Sequence, residues 1–230
     1  TLPDGDGVPC DFVSPPIVLP TGATQEIEVL VQVGRPSCDA VVAWNTGDGK
    51  CLAKASFRWS HPPVPSGQAV YLWLGAKELP SFLRDRRGES WVEVPDPAKL
   101  PREEAAYESV RCAVLAIGDD AEYVTSLRSC GPQIEALRKW AQHGGRLVVS
   151  LGPQMAELAQ AGGLLEWAAP GRWVNTVVLR KTGGLEGFVD SPRPIVLRRS
   201  DVPLEVHQFA NIHGIVVAAE GNIPLVIRRQ

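Results

Sequence analysis

The chain has 230 residues, 44% hydrophobic and 21% charged, enough to bury a core without metal or disulfide staples and ordinary for a globular protein. A net charge of -3 excludes the basic footprint of a nucleic-acid-binding domain. No apolar run approaches the roughly 18 residues of a membrane span, no secretory leader opens the chain, and Thr1 reads as a mature start.

Asp4-Gly5-Asp6-Gly7 begins like a calcium loop, but the later ligands and closing glutamate are missing, so it reads as an acidic terminal segment. Gln25 to Val33 alternates apolar residues at Ile27, Val29, Val31 and Val33, the period of a half-buried strand. Ala40–Trp44 and Leu52–Trp59 read as two more strands around the turn Thr46-Gly47-Asp48-Gly49. From Ser60 to Gly67 the chain holds three prolines and a glycine, which suits a linker or an extended crossover. Residues 1–66 are therefore expected to form a small antiparallel β-sandwich-like unit. Three or four strands are few for a free-standing sandwich, so packing on the rest of the chain is expected.

After the linker the rhythm changes. Val70–Leu74 is a continuous apolar run, as in a strand buried on both faces, and a short helix over Glu78–Arg84 and a strand at Trp91–Val94 come next. Val110–Ile117 is the third strand, ending at Gly118-Asp119-Asp120. Gly131-Pro132 then opens a helix whose Ile134, Leu137, Trp140 and Ala141 share one face, and Gly144-Gly145 stops it. Arg146–Ser150 is a further strand and Gln154–Ala161 a short helix. Strands return at Val174–Leu179, Ile195–Leu197, Ile215–Ala219 and Leu225–Ile227. Strands alternating with helices predict a mostly parallel sheet covered on both faces over residues 67–230.

The five cysteines, Cys10, Cys38, Cys51, Cys112 and Cys130, include no CxxC pair and no His/Cys cluster at zinc spacing. No metal and no cofactor are expected. Cys38 and Cys51 share the strand-rich part, where an oxidising compartment would permit a disulfide. Cys112 reads as an inert thiol inside a strand. Trp44, Trp59 and Trp73 are read as core packing, with a sugar-binding aromatic platform as the competing reading.

Tyr107, the Val110 strand, the helix ending in Gly144-Gly145, Arg146-Leu147-Val148-Val149-Ser150-Leu151-Gly152 and Leu158-Ala159-Gln160-Ala161-Gly162-Gly163 together resemble the class I glutamine amidotransferase-like family. The likeness covers residues 68–230 and is strongest over 107–165. It implies a three-layer, flavodoxin-like α/β sheet. In that family a sharp turn after the second of these strands presents a nucleophilic cysteine; here Ser150 occupies the position. The family's histidine and acid lie two residues apart, whereas His207 is followed by Gln208-Phe209 and His213 by Gly214-Ile215. At the oxyanion turn stands Gly118-Asp119-Asp120, whose carboxylates would oppose developing negative charge. The resemblance thus implies a scaffold without the family's chemistry.

A serine hydrolase uses the same residues differently, with Ser150 as nucleophile and His207 or His213 as base. Ser150-Leu151-Gly152 matches half of a G-x-S-x-G elbow, but Val148 stands where the first glycine belongs. The competing reading makes Ser150 the cap of the following helix, with Pro153 in its first turn. Asp119, Asp120 and Glu122 lie beyond the carboxyl end of a parallel strand, where open α/β sheets gather ligands. A cation or small polar ligand there competes with simple capping of the next helix. Degenerate domains similar to this one occur in large bacterial envelope proteins. The expectation is therefore a binding or structural module, the extracytoplasmic part of a longer bacterial protein, acting on an unidentified protein or small polar ligand.

Overall fold

A computed structural model describes residues 1–4, 6–27, 29–31, 33, 39–58, 64, 67–75, 77–84, 86–118, 120–150, 152, 155–195 and 204–229. The chain is a mixed α/β protein with a four-stranded parallel sheet and, among the described residues, four two-stranded antiparallel sheets. It divides into two compact units, Thr1–Ala69 and Val70–Gln230.

In the first unit β1 (Leu2–Pro3) pairs with β2 (Pro9–Cys10), and β3 (Asp39–Asn45) with β4 (Cys51–Arg58). Asp4 Oδ1 accepts the N–H groups of Asp6 and Val8 at 2.9 and 2.8 Å, so this carboxylate shapes the β1–β2 turn. The register Ala40↔Phe57, Val42↔Ala55 and Trp44↔Ala53 gathers apolar side chains on one face of the second hairpin. Asp39, Lys54, Ser56 and Arg58 lie on the other. Ala40 packs with Leu2 and Val33, but Val42 and Trp44 remain 54% and 37% exposed.

Two expectations change here. The described residues of 25–33 form no strand despite their alternation. A period-2 pattern becomes a strand only beside a ladder partner, and β3 is instead met at Val41 by Thr1, through bonds of 2.8 and 3.2 Å. Trp44 is not a core residue, because the two-stranded hairpin has no second layer over it among the described residues. Trp59, Cys38 and most of the 60–66 linker lie outside the described residues, and Cys51 carries a free thiol.

The second unit begins with β5 (Ala69–Leu74), α1 (Ser81–Arg84) and β6 (Glu89–Val94). Two 3-10 turns, Pro97–Lys99 and Glu104–Tyr107, lead to β7 (Val110–Ala116), α2 (Ala121–Arg128), α3 (Gly131–Gln142) and β8 (Leu147–Ser150). The sheet order is β6-β5-β7-β8, with β7 parallel to β5 and β8. Beyond it come α4 (Met155–Ala159), β9 (Arg172–Val178), α5 (Gly183–Phe188), β10 (Glu205–Ala210), β11 (Ile215–Glu220) and β12 (Ile223–Arg228). β9 pairs with β10 and β11 with β12, both antiparallel. Of the expected strand Ile195–Leu197, Ile195 is irregular and the rest lies outside the described residues.

Register decides which side chains meet. Leu72, Ala113 and Leu147 share one sheet face with Leu74, Leu115 and Val149. That face packs under Val124, Leu127, Ile134, Leu137 and Trp140 of α2 and α3, with Leu100 and Tyr107. Leu115, Leu127 and Leu137 are fully buried, each contributing about 1.5–3 kcal/mol of transfer energy. Gly144, at φ +103, turns the chain out of α3, and Gly145 N bonds back to Trp140 O at 3.0 Å.

The opposite face carries Tyr71, Trp73, Cys112, Val114 and Val148, half-buried or exposed, and adds nothing to this core cluster among the described residues. Among the described residues no buried core cluster forms on this face. Right-handed crossovers explain this. From β6 to β7 and from β7 to β8 the chain moves the same way across the sheet, which sets both connections on one face. Only the β5–β6 connection moves the other way, and among its described residues the one regular element is the single turn α1.

That connection is fastened by Glu93 on β6, which accepts Leu79 N–H at 2.9 Å and Arg84 Nη2 at 2.8 Å. The Leu79 bond, aided by Arg84, holds the Glu93 carboxyl below the ordinary glutamate range. A carboxyl lowered in the folded state stabilises above its unfolded value, and the effect is lost as pH falls through the folded one. Hydrogen exchange at the Leu79 amide is accordingly expected to lose protection below the ordinary glutamate range, and Glu93→Gln to remove that pH dependence.

Candidate functional site

The carboxyl ends of β5, β7 and β8 are pressed together backbone to backbone. A Cβ built on Gly75 would stand 2.3 Å from Ala116 O, and one on Gly152 would stand 2.0 Å from Gly118 O. Only glycine permits such approaches. Gly118 turns at φ +62, and a Cβ there would lie 3.6 Å from Lys77 Nζ. Gly75, Gly118 and Gly152 each lie just past an apolar strand, a recurrence in the sequence that could have signalled this close edge.

Ser150 closes β8 opposite Ala116 and is exposed. His207 reaches Gly152, two residues past β8, from β10 and is only 7% exposed. Its Nε2 lies 2.7 Å from Gly152 O. The Trp173 indole N–H donates to its Nδ1 at 3.2 Å, and Thr176 Oγ1 lies 3.2 Å from the same nitrogen. An indole N–H can only donate, so Nδ1 accepts, and the ring proton sits on Nε2, donating to the Gly152 carbonyl. A register shift on β9, where Asn175 and Trp173 face the consecutive residues Gln208 and Phe209, leaves Val174 unpaired and accompanies the reach of Trp173 to His207.

This geometry differs from a nucleophile-base pair. Such a base needs an acceptor nitrogen aimed at the hydroxyl and a carboxylate behind its other nitrogen. Here both nitrogens are committed within the fold, and among the described residues no hydrogen bond joins Ser150 to either histidine. His213 is exposed in the turn before β11, where its backbone N–H donates to Pro170 O at 2.7 Å. Trp173 and Thr176, which define the tautomer of His207, were not singled out in the sequence, because nothing local couples residues 31–34 positions apart.

Asp120 caps α2, its Oδ1 accepting Tyr123 N–H at 2.8 Å. Asp119 lies outside the described residues. Glu122 is exposed in the first turn of α2, where its charge favours the helix dipole. It borders an open surface depression of about 430 Å³ lined by Ala121, Thr125, Ser126 and Ser129. The Thr125 and Ser129 hydroxyls donate to Ala121 O and Thr125 O, so helix carbonyls already occupy them. Removing the cap with Asp120→Ala is expected to cost about 1 kcal/mol in urea unfolding, with Asp120→Asn retaining most of it.

Two of the thiols, Cys112 and Cys130, are poor nucleophiles. Burial pushes both Cys112 and Cys130 up from the ordinary thiol value, and Cys130 Sγ lies 3.3 Å from Ser126 O. Among the described residues no group of three or more His, Cys, Asp or Glu is arranged to hold a metal, and no helix is long and apolar enough to cross a membrane. No protein family, curated protein or solved structure matches the chain.

Proposed function

We propose that this chain is a non-catalytic binding or structural module on a flavodoxin-like, glutamine amidotransferase-like scaffold, forming the extracytoplasmic part of a larger bacterial protein. One observation carries the non-catalytic reading: both ring nitrogens of His207, the histidine that reaches Gly152 just past Ser150, are committed to Gly152 O, Trp173 and Thr176. A histidine so engaged holds the Gly152 backbone and has no acceptor left for a serine proton. The strand order β6-β5-β7-β8 supports the scaffold reading, since it matches the first four positions of the flavodoxin-like order. Two residues past Gly118, the Asp120 carboxylate caps α2, and a carboxylate can accept but not donate to an oxyanion, which adds to the non-catalytic reading.

A fluorophosphonate probe applied to the intact chain tests the reading. Ser150 is expected to remain unlabelled, with the parent and Ser150→Ala chains indistinguishable. Labelling confined to Ser150, and lost on changing His207 to Gln, would instead make the chain a serine hydrolase.

A further inference from the structure

We draw no further inference here: the strongest candidate, the apolar face of the β3–β4 hairpin around Val42, Trp44, Ala53 and Ala55, is exposed in large part, and nothing in the structure shows what covers it.

Discussion

Gly152→Ala is expected to lower the stability of the second unit by about 3 kcal/mol or more. The added methyl would lie 2.0 Å from Gly118 O, 2.6 Å from Gly118 C and 2.9 Å from its Cα. These are backbone atoms of the neighbouring strand-end turn, and no rotamer change relieves the overlap. Relief requires the Gly152 backbone to separate from Gly118, which would also draw Gly152 O away from His207. Gly162→Ala is the control: nothing stands within 4 Å of its Cβ, and only its φ of +79 opposes the change, so about 1 kcal/mol is expected. Urea unfolding read through hydrogen exchange of β7 and β8 amides isolates this unit from the first. Equal losses in the two variants would mean that the strand-end turns are not in backbone contact.

The parts of this fold legible in sequence are those set by local pattern. Continuous apolar runs marked β5, β7 and β8, and Gly144-Gly145 marked the end of α3, because burial on a parallel sheet and a left-handed helix stop each leave a signature within a few residues. Elements that depend on distant partners left none. α5, with sequence Gly-Gly-Leu-Glu-Gly-Phe, has poor helix propensity. It is fastened from elsewhere: Glu220 Oε2 accepts Gly184 N–H at 2.8 Å, and Glu186 Oε1 accepts both Thr182 Oγ1 and Ile195 N–H at 2.7 Å. β10 was likewise unread, since its residues alternate weakly and become a strand through pairing with β9.

The failure at residues 25–33 runs the other way. The alternation is strong, yet the pattern specifies only that a strand would have an apolar face, not that an edge awaits it. The thin cover over the opposite sheet face among the described residues has a related origin. Apolar composition at Tyr71, Trp73 and Val114 suggests burial on both faces, while coverage depends on what the β5–β6 connection contains.

His207→Ala is expected to cost about 2–4 kcal/mol, from a buried cavity together with partners left unsatisfied. The ring bridges β10 to the Gly152 backbone, and its removal strands the Gly152 carbonyl and the Trp173 indole N–H at once. Thr176 is exposed and turns its hydroxyl to water at little cost. Trp173→Phe removes one donor while leaving Thr176 beside Nδ1, so a smaller loss, about 1 kcal/mol, is expected from the hydrogen bond alone. Because both variants disturb one hydrogen bond, the double variant should fall short of the sum by at least about 0.5 kcal/mol. His207→Gln, which offers a donor toward Gly152 O, should recover part of the loss. If His207→Ala left stability unchanged, the imidazole would not be held by these partners. It would then be available to Ser150, and the case for a silent scaffold would fail.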